Sequence, residues 1–128
     1  MRIEITRTEP AFGGKSFGSA GAYETIAGTI RGAVDPAHPL NAGIVNLGKA
    51  PVNAAGQVEY EVDFHLLKPV DLARGNRRIL HDVLNRGNKV ALHTFNEAPR
   101  DREDPMAMAV NDPRMPEDAG NGFLMRQG

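Results

Sequence analysis

VEYEVDFHLLKP, residues 58–69, decides the fold class. Val58, Tyr60, Val62, Phe64 and Leu66 fall on one side of an extended chain, and Glu59, Glu61, Asp63 and His65 fall on the other. A period of two held without error fits a β-strand with one face toward a core and one toward water, the habit of antiparallel sheets. Turns bracket it: NAAG at 53–56 leads in and ARGN at 73–76 leads out. The next apolar stretch lies within RILHDVLNRGNK (78–89), where Ile79, Leu80, Val83 and Leu84 occupy both faces, as in a more central strand. Residues 58–69 and 77–85 are therefore expected to pair as a hairpin.

Outward from that hairpin the elements are short. RIEITRT (2–8) alternates, with Ile3 and Ile5 on one side, and is closed by Pro10. AFGGKSFGSAG (11–21) is glycine-rich and reads as a flexible loop. In YETIAGTIRGAV (23–34) period two returns, with Thr25 and Ala27 opposite Ile26, Ile30 and Val34. Gly28 and Gly32 suggest bends or a bulge in that strand. DPAHPLNAG (35–43) is a turn, followed by a short strand at Gly43–Leu47. KVALHTFN (89–96) fits a strand or a short helix equally by period. Residues 97–117 form an irregular Pro-rich charged loop, with one helical turn around Met106–Val110, and Asp118 is placed to N-cap a helix in AGNGFLMRQ (119–127). The fold class predicted is mainly β: a twisted, largely antiparallel sheet of about five strands with one or two short helices.

Composition narrows the function classes. A chain of 128 residues makes one β-rich domain with one modest core. Fifteen basic residues against sixteen acidic ones leave a net charge of -1, so no global field recruits nucleic acid or an anionic membrane. Without cysteine there are no disulfides and no thiolate chemistry. No apolar run approaches a membrane span, and MRIEITRTEP (1–10) lacks the apolar core of a signal peptide, so the cytoplasm is the default compartment.

Each chemistry-bearing candidate has a plainer reading beside it. GKSFG (14–18) is a literal G-x-S-x-G, but it lacks the strand before and the helix after that a nucleophile elbow needs. Gly14-Lys15-Ser16 imitates the end of a phosphate-binding loop, yet the glycine required five positions earlier is Glu9. Ser19 lies in the same loop with no histidine nearby in sequence. Glu59, Glu61, Asp63 and His65 share one strand face, a donor set able to hold a cation but more simply a solvated outer face. His81 and Asp82 point to opposite faces, which makes His81 a core-edge histidine. Asp101, Glu103 and Asp104 sit in charged surface rather than in a catalytic cluster. No cofactor motif and no metal-ligand spacing stands out. The best-supported site is the knot after the central strand, Asn85, Arg86, Gly87, Asn88 and Lys89, where a turn at a strand's carboxyl end can present oxyanion donors. The same residues also make an ordinary Asn-stabilised turn.

The segments SFGSAGAYETIAGTIRGAVDPAHPLNAGIVNL (16–47), GQVEYEVDFHLLKPVD (56–71), LNRGNK (84–89) and DAGNGFLMRQG (118–128) together resemble the opening part of a family of long bacterial alpha/beta-hydrolase-domain proteins. The resemblance implies that residues 23–34, 58–69 and 78–86 are the first three sheet strands, and that Asn85–Lys89 are the loop contributing an oxyanion donor. It makes residues 119–127 the helix before the fourth strand. It implies further that the nucleophile, acid and histidine of a serine triad lie later than residue 128, and that Ser16 is not the nucleophile. The chain is then the N-terminal portion of an ester or amide hydrolase, not catalytic alone. A homo-oligomer or a missing C-terminal segment is expected to cover its apolar surface. The alternative is a stand-alone β-domain that binds a protein or ligand without catalysis.

Overall fold

The computed structural model describes residues 1–84, 89–99 and 112–128. Four strands form an antiparallel sheet: β1 (Arg2–Pro10), β2 (Ser16–Phe17), β3 (Gly21–Val34) and β4 (Val58–Pro69). β3 pairs with each of the other three, and its register with β2 sets Ser16 against Ala22 and Phe17 against Gly21. Two short helices follow, α1 (Ala91–Asn96) and α2 (Phe123–Gln127). The mainly β architecture expected from the alternation is therefore present. No helix among the described residues is long and apolar enough to cross a membrane.

The hairpin partner of residues 58–69 is not the one expected. β4 pairs with β3, and residues 77–84 form no strand. Local side chains divert the chain before it can extend. Asp71 Oδ1 accepts from Ala73 N–H, Asn76 Oδ1 accepts from Arg78 N–H, and Arg77 adopts a left-handed φ of 62°. The strand expected at Gly43–Leu47 is likewise absent, replaced by turns around Asn46 at φ 61° and a 3-10 turn at Leu47–Lys49. KVALHTFN resolves as helix, since α1 covers Ala91–Asn96.

The chain divides into two compact units. The sheet unit holds Met1–Arg7 and Ala27–His65. One of its faces is a ladder of polar pairs: Arg31 bridges Glu4 at 2.7 Å and Glu61 at 2.5 Å, and Thr29 Oγ1 donates to Asp63 at 3.2 Å. The other face carries Ile3, Ile5, Ile30, Tyr60, Val62 and Phe64. Gly28 and Gly32 lie on it without any break in β3, because they serve close approach rather than bending. A methyl on Gly28 would overlap the Glu4 carbonyl and press on Phe64, and one on Gly32 would overlap the Tyr60 ring. Two aromatic rings thus fill the places their cross-strand glycines leave open.

The core unit holds Thr8–Ile26 and Leu66–Gly128. Among the described residues, the buried hydrophobic ones belong to it: Ala11, Phe12, Phe17, Ala20, Tyr23, Leu92, Ala98, Ala119 and Met125. The segment 11–21, expected as a loop, is a chief contributor. Gly13, Gly14, Gly18 and Gly21 take positive φ, so the chain doubles back on itself and buries both phenylalanines. Phe17 packs edge-to-face on Phe12 at 5.5 Å and on Tyr23 at 5.9 Å. Asn96, wholly buried, knits the C-terminal part: its amide nitrogen donates to Ala119 O and its Oδ1 accepts from Leu124 N–H. Asn121 Oδ1 accepts from Phe123 N–H, so Asn96 and Asn121 cap α2. Asp118, expected in that role, instead accepts from Asp112 N–H.

Candidate functional site

Of the five residues singled out after residue 84, Lys89 is described, and Asn85, Arg86, Gly87 and Asn88 lie outside the described residues. What the structure defines is how the chain on either side of them is held. Val90, the residue at the N-cap of α1, has no side-chain cap bond of its own. Asp82 supplies the missing acceptor from eight residues upstream. Its Oδ2 takes the Val90 N–H at 2.9 Å and the Ala91 N–H at 3.0 Å. A carboxylate at the start of a helix satisfies orphan amides and suits the helix dipole. Residue 82 and residues 90–91 are thereby pinned together.

Charge on the far side of the clamp is also fixed. Lys89 is half-buried, and its positive charge helps hold the Asp112 carboxyl down. Arg114 is the main cause: its side-chain hydrogen bonds lower the Asp112 carboxyl to about 2. The guanidinium Nε lies at 2.8 and 2.9 Å from the two Asp112 oxygens, with a further bond from its Nη2. A carboxylate held that low stays ionised at neutral pH and is unsuited to general acid–base work there. Asp112 is an anchor, not a base.

Ser16 and the polar strand face resolve in favour of their plainer readings. Ser16 is exposed in β2, paired with Ala22, and the chain after Phe17 enters a 3-10 turn at Gly18–Ala20 instead of an α-helix. That is not elbow geometry. The carbonyls of Gly18 and Ser19 are occupied by the Arg74 guanidinium, at 3.4 and 2.6 Å. On the polar strand face Glu59 accepts from Asn53, Glu61 from Arg31 and Asp63 from Thr29, so the carboxylates are already engaged. No group of three or more His, Cys, Asp or Glu positioned for a metal occurs among the described residues. His81 is exposed rather than set at a core edge, because the stretch around it is not in the sheet. Asp101, Glu103 and Asp104 lie outside the described residues, as does Met106–Val110.

A shallow depression of about 460 Å³ lies over Thr6, Arg7, Ala27–Thr29, Asp63 and Phe64 in the sheet unit. It lacks the enclosed, apolar lining of a small-molecule site. The structure adds one residue that reading the sequence had passed over, Asp82. A lone Asp with no nearby helix signal gives no local hint of capping eight residues away. No family model, curated protein or solved structure matches the chain.

Proposed function

We propose that this chain supplies the opening sheet and the rim of the active site of an alpha/beta-hydrolase-type protein acting on esters or amides, and is not catalytic alone. One observation carries the reading. Residues 79–84 have the composition of an interior strand, yet Ile79 is 88% and Val83 76% exposed, immediately before the loop clamped by Asp82. An apolar strand sequence standing uncovered beside an anchored loop suits a sheet that further residues complete. The chain's share of the work is positional: Asp82 holds residue 82 against the start of α1, and the role assigned to Asn85–Lys89 is that of oxyanion donors. Self-association and a cytoplasmic setting accompany the proposal.

The decisive test is the reading frame after codon 128 in the source genome. A frame continuing into a strand, a G-x-S-x-G turn and a helix, with a longer product that hydrolyses p-nitrophenyl esters while residues 1–128 do not, sustains the proposal. A stop codon at that point overturns it. Turnover by residues 1–128 that disappears in Ser16→Ala overturns it equally.

A second reading is favoured by the sheet unit: a β-domain that binds a protein and catalyses nothing. Its polar face satisfies its own charges while its apolar face is open, an arrangement suited to contact rather than chemistry.

A further inference from the structure

We propose that Asn121–Gly122 is a latent deamidation site, sealed while α2 is docked and converted when the turn before α2 opens. The proposal concerns this turn alone and does not rest on the hydrolase reading. Asn121–Gly122 is the chain's single Asn-Gly pair. Asparagine before glycine is the pair in which the following backbone nitrogen reaches the side-chain amide most readily, because glycine has no side chain to obstruct it. Packing requires the glycine here. Gly122 precedes α2 at a φ of 73°, and a methyl on it would lie 2.9 Å from the Phe17 ring. Gly120 is required too, since its φ is 53° and a methyl there would overlap the Asn96 carbonyl. The fold thus sets a reactive pair where neither flanking glycine can be exchanged.

Asn121 is exposed to water, yet each group the reaction needs is held. In deamidation the Gly122 nitrogen gives its proton to water and bonds to Asn121 Cγ. The Cγ–Nδ2 bond breaks, ammonia leaves, and a succinimide ring remains. Water then opens the ring at either carbonyl, giving aspartate or isoaspartate, with nothing oxidised or reduced. In the structure the Gly122 N–H donates to Ala119 O at 2.9 Å, so the nucleophile's proton is engaged. Asn121 Nδ2 donates to Glu97 at 3.2 Å, and Oδ1 accepts from Phe123 N–H at 2.8 Å. Turning the carboxamide onto the Gly122 nitrogen must give up both bonds. The Asn121 N–H, bonded to Asn96 O at 2.7 Å, fixes the backbone beneath. Undocking α2 releases these restraints together, and a helix of five residues belongs to the segments that open most easily. Isoaspartate lengthens the backbone by one methylene between Gly120, pressed on Asn96, and Gly122, pressed on Phe17. That turn has no room for it, so a chain converted to isoaspartate does not redock α2 as before.

The test incubates the whole chain at mildly alkaline pH, folded and in urea above the unfolding midpoint, and follows the peptide holding residues 121 and 122 by mass spectrometry. Conversion in urea is expected to be at least about 10-fold faster than in the folded chain, where the reaction waits on opening. Glu97→Gly removes the partner of Asn121 Nδ2 and suits the left-handed φ of 55° at that position, so the variant should fold. Its folded-state rate should rise at least about threefold, with the rate in urea unchanged. Chains converted to isoaspartate in urea and then refolded should exchange the Leu124 and Arg126 amides faster than unconverted chains. Equal rates in the folded and unfolded chain overturn the proposal, as does an absence of conversion in urea. An unchanged folded-state rate in Glu97→Gly, or unaltered exchange in α2 of the isoaspartate chain, overturns it as well.

Discussion

Replacing Asp82 with alanine tests whether a single carboxylate holds the base of the candidate loop. In the structure Asp82 Oδ2 accepts from two amides, Val90 N–H and Ala91 N–H, at 2.9 and 3.0 Å. Both belong to the start of α1, only six residues long and without another side-chain cap. Loss of an ordinary N-cap costs about 0.5–2 kcal/mol, and bonds to a charged acceptor lie at the strong end of the hydrogen-bond range. Two such bonds share one half-buried oxygen here, so about 2 kcal/mol is expected for Asp82→Ala. A six-residue helix has little propensity to survive on its own, so the loss should appear as local opening. Hydrogen exchange at Val90 and Ala91 should accelerate about 30-fold, while the Tyr23 amide in the core changes little. Asp82→Asn keeps a neutral acceptor and should recover about half the effect. Unchanged exchange at Val90 and Ala91 in Asp82→Ala would refute the clamp. So would an equal loss at Tyr23, which would make Asp82 a general stabiliser and not a loop anchor.

Three further outcomes follow from the same geometry. Asn96→Ala strands Leu124 N–H and the Ala119 carbonyl in a buried site, each costing about 1–3 kcal/mol, so a loss of about 3–4 kcal/mol in urea unfolding is expected; a loss under about 1 kcal/mol would contradict the assigned bonds. Gly28→Ala should cost about 1–3 kcal/mol and expose the β1 amides to exchange, because the methyl meets the Glu4 backbone, whereas Gly43→Ala, with open space around it, should be neutral. The Asp112 carboxyl titrates at about 2 in the folded chain against 3.8 ordinarily, chiefly through its hydrogen bonds to Arg114. Its stabilising contribution is therefore fully present above pH 3.8 and lost as pH falls toward about 2. Solvent screening keeps that contribution small. The difference in urea midpoint between the native chain and Asp112→Asn should shrink over this window, and a difference that grows on acidification would show the sign to be wrong.

The parts of the fold legible in the sequence were those written in period two. β4 could be read because Val58 to Leu66 alternate without interruption, and β1 and β3 for the same reason. The hairpin partner was misassigned because Ile79, Leu80, Val83 and Leu84 have strand composition, while the features that stop them extending are turn bonds from Asp71 and Asn76. Segment 11–21 was misread because glycine signals a loop when only backbone freedom is weighed. Here the same freedom folds Phe12 and Phe17 inward, and the two aromatic rings were the available clue. Among the site residues, capping chemistry was recognised in type but not in place. Asp118 does accept a backbone amide, that of Asp112, and Asn121 does the work at α2. Asp82 could not be found by local pattern, since its partners are fixed only once the chain has turned.

The two units are ordered by different forces, and that contrast bears on function. Among the described residues of the core unit, the hydrophobic core is joined by two buried polar residues, Thr25 and Asn96, and the buried Tyr23 hydroxyl donates to Met125 O at 2.9 Å. Burial pushes that hydroxyl's pKa up, so it remains a donor through neutral pH. The sheet unit has cross-strand polar pairs and two ring-on-glycine contacts instead. Ion pairs as exposed as those of Arg31 contribute little, and three strands without a covered face are marginal in water. Order in the sheet unit is therefore linked to whatever covers Ile3, Ile5 and Val62. If a second copy does so, each molecule of dimer formed stabilises the strands that form it, and protection of β1 and β4 must rise with protein concentration while that of the core unit does not. Exchange measured at two concentrations separates these cases. Concentration-independent protection of β1 would mean that the sheet unit draws its order from within, and that its open face is not what holds it together.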